Sequence, residues 1–247
     1  MRLTVVGCAP AYTSRSGRAS SGYLVEDDAT KIMLDFGQGT FSELWRYSSP
    51  ADLSAIVISH LHADHNIDLI PLRHWVRYEN GGQGPTLHGP ADLRLRLANF
   101  HADPDFLGDF AGDALAPGSF AVGNLLIEVA AVTHIPGAFA FRVAAAGGDG
   151  SGLVYSGDCA VADDLLLLIR PGDTLLCEAA FGVGPSGGGA HLTAAEAAGV
   201  AARGAAGRLI LTHVLDGRDE EASAAAARAV FSGPVEVARP GLAIDIG

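Results

Sequence analysis

The apolar run Ala55-Ile56-Val57-Ile58-Ser59 leads straight into His60-Leu61-His62-Ala63-Asp64-His65-Asn66-Ile67-Asp68, which crowds three histidines and two carboxylates at its exit. Such a run reads as a strand buried on both faces, so His60 to His65 fall on the turn leaving its C-terminal end. In α/β folds that is where ligands bind. Alternation along the chain sends His60 and His62 the same way, and the tightening turn lets Asp64 and His65 reach a second point nearby. Neutral imidazoles and carboxylates suit zinc and its first-row neighbours, at about 2.0–2.2 Å for zinc. The pattern therefore serves two metal ions rather than one.

The rest of the chain alternates strand and helix. Strand-like apolar segments lie at 3–8, 23–25, 32–36, 55–59, 125–132, 139–144, 153–156, 174–177, 209–212, 235–238 and 242–246. Helical spacing appears at Phe41, Leu44 and Trp45, after His65 with a restart at Pro71, and over 161–169, 194–203 and 220–231. Thr193-Ala194-Ala195-Glu196 fits a capping box that starts a helix two residues after His191. Leu93-Arg94-Leu95-Arg96-Leu97 alternates like a strand, but Pro90-Ala91-Asp92 opens like a helix, and a helix is expected. No linker or composition break divides the 247 residues, so one domain is expected over 1–247.

Composition excludes several classes of function. No run of about 18 apolar residues is present and the N-terminal segment is unlike a secretory signal, which predicts a cytoplasmic protein without membrane contact. Cys8, Cys159 and Cys177 form no Cys-x-x-Cys pair and read as small buried hydrophobes. The net charge of −12 repels extended phosphate backbones, although a pair of divalent cations would reverse the sign locally. Gly182-Val183-Gly184-Pro185-Ser186-Gly187 satisfies G-x-G-x-x-G, but it contains a proline and opens no helix, so dinucleotide binding is not expected. His74, His88 and His101 read as ordinary packing or polar residues. Arg15 and Arg18, on the loop after the first strand, are within possible reach of a substrate phosphate.

Further metal-competent residues stand at matching strand ends: His134, Asp158 and His213. The order His-x-His-x-Asp-His, a single His, a strand followed by Gly-Asp and a strand followed by Thr-His resembles the metallo-β-lactamase superfamily over nearly the whole chain. The resemblance implies an α/β fold, a single-domain αββα sandwich with a dinuclear metal site at one edge. It assigns His60, His62 and His134 to one ion, and Asp64, His65 and His213 to the other, with Asp158 bridging. Two divalent ions follow, zinc first, with manganese or iron as alternatives. Leu34-Asp35-Phe36-Gly37 fills the family's place before the metal turn, where Asp35 would brace that turn as a hydrogen-bond acceptor.

Residues 177–197 resemble the part of ribonuclease Z and its relatives in which a strand glutamate faces a histidine just before a helix, here Glu178 and His191. Those relatives imply a phosphodiester substrate, with Asp64 and Asp158 orienting the attacking water and His191, held by Glu178, acting on the phosphoryl or leaving oxygen. The segment between His134 and Asp158 is too short for the protruding arm with which ribonuclease Z grips tRNA. The loop after the first strand also lacks the Lys-x-Arg-Asn pattern found there. Armless bacterial cyclic-nucleotide phosphodiesterases are a better match, so the expected partner is a small or cyclic nucleotide rather than extended nucleic acid, and homodimers are frequent in that group. The alternatives are a ribonuclease Z-type endonuclease, a lactone, lactam or thioester hydrolase, and a metal-dependent binding protein without catalysis. Redox di-iron relatives carry a glutamate where His62 stands and an added flavin domain.

Overall fold

The structure is a computed structural model that describes residues 1–28, 30–148, 150–185 and 189–247. The first half of the chain forms β1 (Arg2–Gly7), β2 (Gly22–Asp27), β3 (Thr30–Leu34), α1 (Thr40–Leu44), β4 (Ala55–Val57), α2 (Ala63–Asn66), α3 (Leu69–Tyr78), β5 (Thr86–His88) and α4 (Leu93–His101). The second half forms β6 (Gly118–Val122), β7 (Leu125–Ala131), β8 (Phe139–Ala145), β9 (Leu153–Tyr155), β10 (Thr174–Glu178), α5 (Ala194–Arg203), β11 (Arg208–Thr212), α6 (Glu220–Arg228), β12 (Val235–Val237) and β13 (Ala243–Asp245). Two mixed sheets result, ordered β13-β1-β2-β3-β4-β5 and β12-β11-β10-β9-β8-β7-β6.

Period-2 alternation explains why these strands need cover on both sides. Tyr23 and Val25 of β2 and Ile32 and Leu34 of β3 enter the apolar layer between the sheets, where they meet Phe141, Tyr155, Leu176 and Ile210. Leu24, Met33 and Ile56 point the other way, into a second core with residues of α1, α3 and α4. Leu175, Cys177, Leu209 and Leu211 likewise face a third core with α5 and α6. Helix, sheet, sheet and helix therefore stack as the αββα sandwich, and all three cysteines are buried within it. No helix among the described residues is long and apolar enough to cross a membrane.

Local signals account for most element boundaries. Thr193 caps α5: its hydroxyl accepts from Glu196 N at 3.2 Å, and Glu196 Oε2 accepts from Thr193 N at 2.8 Å. The ambiguous segment is helix α4, with Leu93 and Leu97 buried one turn apart and Leu95 60% exposed between them. Helix α3 starts at Leu69, two residues before Pro71, which sits in the first turn where no hydrogen-bonding N–H is required. Residues 161–169 carry helical spacing but form a 3₁₀ helix over Ala162–Leu167, and α6 stops at Arg228. Strands β5 and β6 were not expected. Thr86-Leu87-His88 is too short to show a period, and the edge strand β6 is largely exposed.

Gly37, just after β3, packs directly against the metal turn. A Cβ there would lie 1.9 Å from Asp64 O and 2.9 Å from Ser20 Cβ. Since the obstacle is backbone, Gly37→Ala is expected to lower stability by about 3 kcal/mol, read as a lower urea midpoint at unchanged m-value. An unchanged midpoint would contradict this packing.

Candidate metal centre

The seven residues with metal-ligand chemistry come from both sheets. His60 and His62 follow β4, Asp64 and His65 lie in α2, and His134, Asp158 and His213 follow β7, β9 and β11. Asn66 fixes the turn from inside, donating from Nδ2 to His62 O at 2.7 Å and to His60 O at 3.3 Å. It stood in the same stretch, His60 to Asp68, but its carbonyl-bridging role depends on the turn's fold.

The donor atoms fall into two groups. In the first, His62 Nδ1 lies 3.1 Å from both His60 Nε2 and His134 Nε2. Asp158 Oδ2 lies 3.5 Å from His60 Nε2 and 3.7 Å from His134 Nε2. In the second, Asp64 Oδ2 lies 3.1 Å from His213 Nε2 and 3.4 Å from His65 Nε2. Asp158 Oδ1 reaches these same nitrogens at 3.3 Å from His65 and 3.7 Å from His213. A tetrahedral ion with bonds of about 2.1 Å separates its ligand atoms by about 3.4 Å, so both groups match a zinc-sized cation. Asp158 turns one oxygen towards each group, as a bridging carboxylate must.

Hydrogen bonds behind the ligands decide which nitrogen faces the centre. Asp35, fully buried, accepts from Ser59 N, Ser59 Oγ, His65 Nδ1 and Tyr155 OH, all within 2.7 Å. Because Asp35 only accepts, His65 carries a proton on Nδ1, which leaves Nε2 as the nitrogen that faces the centre. Ser59 has spent its proton on Asp35, so its oxygen accepts from His60 Nδ1 at 3.1 Å, and His60 Nε2 is a lone pair. His134 Nδ1 donates to Ala190 O at 2.9 Å, which leaves its Nε2 free as well. In the first group the lone pairs of His60 Nε2 and His134 Nε2 both face His62 Nδ1, which can offer at most one proton between them; a cation satisfies all three nitrogens. His65 Nε2 and Asp158 Oδ1 are buried without any hydrogen-bond partner, the mark of groups built to meet an ion.

The charge balance agrees. Burial, then the charge at His65, push the His60 imidazole well below its ordinary pKa, and burial lowers His62 and His134 too, which keeps them neutral as ligands must be. Burial also works against an imidazolium at His65, yet Asp158 and Asp35 outweigh it and raise its pKa. Burial opposes ionisation of Asp158, but the histidines around it hold its pKa well down. The second group thus calls for positive charge at its centre.

His191 lies beside this centre. Its Nδ1 is 2.9 Å from Glu178 Oε1 and 3.9 Å from Asp158 Oδ2, and its Nε2 is left for other partners. Burial disfavours the charged ring, but Glu178 reverses the balance and raises its pKa. Glu178 itself also accepts from Cys159 N and Ala180 N, both at 3.0 Å. Asp158, His191 and His213 are close enough to form a third potential ligand group, but the Nδ1 bond to Glu178 commits one face of His191 elsewhere.

Other expected residues stand apart from the centre. Arg15 and Arg18 are drawn to Glu220, at 2.8 and 3.1 Å, and Arg15 also to Asp216. His101 stacks on Phe106 at 4.0 Å between ring centroids, with the Arg73 guanidinium 4.7 Å from the Phe106 centroid, so it serves packing. His74 neighbours Tyr78, and His88 neighbours Phe120. Burial pushes the Cys8 and Cys159 thiols up to about 12 and Cys177 well above its usual range, so none is poised to react. Part of the glycine motif, Ser186 and Gly187, lies outside the described residues.

With two donor groups bridged by Asp158, comparison with known proteins is decisive. The family model described as the beta-lactamase superfamily domain matches residues 30–214. The chain belongs to this superfamily. Its architecture is the metallo-β-lactamase fold: the crystal structure of YhfI from Bacillus subtilis superposes with a TM-score of 0.87 over 99% of each chain, at 25% identity. That relative is named a probable metallo-hydrolase. An uncharacterized Mycobacterium tuberculosis protein, Rv1339, is 34% identical over 95% of this chain and 88% of its own length. Ribonuclease Z of Myxococcus xanthus is 25% identical across all of this chain and 98% of its own. Its His/Asp groups are suited to metal ions.

Tyr155 of the second sheet reaches the first sheet's Asp35 and, through it, His65. Tyr155→Phe keeps the ring packing and removes one donor. The expected result is an intact fold and roughly tenfold weaker retention of the ion at His65, within the range typical for such supporting partners. Competition against a chelator measures it, and unchanged retention would show that Tyr155 does not support the site.

Proposed function

We propose that this chain is a dinuclear metal-dependent phosphodiesterase acting on small phosphodiesters, cyclic mononucleotides among them. The observation that carries the reading is the Glu178–His191 pair, whose histidine stands 3.9 Å from the bridging Asp158 and is not needed to complete either donor group. A donor held beside two cations suits a reaction whose leaving group is an alkoxide. The relative named Ribonuclease Z supports phosphodiester chemistry. The tRNA version is disfavoured by the net charge of −12, and the alignment to that relative spans 303 positions against 247 residues here, so the relative carries segments this chain lacks.

His60, His62 and His134 would hold one divalent ion and Asp64, His65 and His213 the other, with Asp158 shared. Bound there, the ions would lower the pKa of water and offset the charge of the phosphate, with zinc favoured by ligand type and manganese or iron compatible. Asp64 and Asp158 accept hydrogen bonds from the attacking water and align it with the phosphorus–oxygen bond to be broken. Glu178 holds the Nδ1 proton of His191 and favours the doubly protonated ring, whose Nε2 then donates to a phosphoryl oxygen or passes its proton to the leaving oxygen. One water is consumed and one phosphorus–oxygen bond breaks, giving a monoester and an alcohol, which stay in one molecule when the diester is cyclic.

The test compares wild type and His191→Ala on bis(p-nitrophenyl) phosphate, a cyclic mononucleotide, a lactone, a thioester and precursor tRNA. Phosphodiester turnover is expected only for the small substrates, and His191→Ala should reduce it by about 10²–10⁴-fold with fold and metal content retained. Glu178→Gln, which leaves fewer backbone N–H groups stranded than alanine would, should cost less, and the two losses should not add. Efficient tRNA trimming, or preferred turnover of the lactone or thioester, would overturn the reading. So would loss of a metal ion from His191→Ala.

A further inference from the structure

In this acidic chain the arginines mostly find carboxylates: Arg15 and Arg18 meet Glu220, Arg73 meets Asp103, Arg142 meets Asp173 and Arg170 meets Glu128. Arg96, on α4, finds none among the described residues. It does not pair with Asp92, one turn earlier, although i,i+4 spacing favours such pairs. Instead its Nη1 donates to the backbone oxygen of Leu61 at 2.7 Å, between the ligand positions His60 and His62.

This contact completes the hold on the metal turn. Asn66 takes the carbonyls of His60 and His62 from within, and Arg96 takes the carbonyl of Leu61 from outside. Leu61 precedes His62, the exposed member of the first donor group, so the guanidinium is anchored to the backbone of the metal turn one residue before that ligand. One of its five N–H groups is used. The others have no protein acceptor among the described residues, and the side chain is exposed. A guanidinium already fixed at one nitrogen loses little freedom when its remaining fork binds a phosphate. In a chain of net charge −12, an exposed cation with no carboxylate partner among the described residues, tied to the metal turn, is suited to an anion.

We propose that Arg96 forms a second anion subsite, binding a phosphate that lies beyond the scissile diester. The inference rests on the phosphodiesterase reading and sharpens it: favoured substrates carry two phosphates, as a 5′-phosphorylated dinucleotide does. The scissile group occupies the donor groups near His191, and the second phosphate extends past His62 towards α4.

Calorimetry on zinc-loaded protein tests this with two probes, adenosine 5′-monophosphate and adenosine 3′,5′-bisphosphate. Wild type is expected to bind the bisphosphate about tenfold more tightly, the contribution of one charge-assisted contact. In Arg96→Gln the ratio should fall to near one, and Arg96→Lys should be intermediate because it keeps the charge and loses the fork. A wild-type ratio near one, or a ratio that survives Arg96→Gln, overturns the proposal. Equal loss of both affinities together with metal content also overturns it, since Arg96 would then only hold the turn. If the ratio behaves as expected but wild type hydrolyses no phosphodiester, the subsite stands and the reaction assignment falls. Phosphodiester turnover without the ratio overturns the subsite and leaves the reaction assignment standing.

Discussion

The buried carboxylate of Asp35 gathers four donors from three places in the fold, and the metal centre depends on it. Ser59 at the end of β4, through both its N–H and its hydroxyl, His65 in α2 and Tyr155 on the opposite sheet all donate to it. A buried anion is costly unless its lone pairs are satisfied, and the folded sandwich is what supplies the donors. The same bonds dictate protonation: Asp35 fixes the His65 tautomer directly and that of His60 through Ser59. Sheet packing and ligand orientation are thus set by one group.

Around this anchor, the two donor groups divide the work by access. The second, with Asp64, His65 and His213, is buried, whereas the first includes the exposed His62. The first group is therefore open to solvent at His62. His191 stands near Asp158, and Arg96 is tied to the turn beside His62. On the proposed function, ions and these side chains would make the centre locally positive in an otherwise acidic protein, which would favour a compact anion over a long polyanion.

Much of this was legible in the sequence because strand-end chemistry is local. A buried strand followed by His-x-His-x-Asp-His announces a ligand-bearing turn before any packing is known, and the capping box at Thr193 fixes where His191 sits relative to α5. Asp35 was placed by resemblance, but its fourfold acceptor role depends on Tyr155, 120 positions away in the chain. The Asn66 and Arg96 contacts to turn carbonyls carry no sequence pattern, since they exist only once α2 and α4 are folded against the turn. Strands β5 and β6 escaped because one is too short for a period and the other lies exposed at an edge. The 3₁₀ helix over Ala162–Leu167 shares its spacing of apolar residues with an α-helix too closely to be told apart.

The central claim is that seven side chains form two ion sites sharing Asp158. Its most direct test is the number of ions retained per chain after metal loading and dialysis, measured by elemental analysis on wild type and on Asp158→Ala. The account predicts close to two for wild type and loss from both sites in the variant. A wild type that retains one ion or none, or a variant that still retains two, would contradict it.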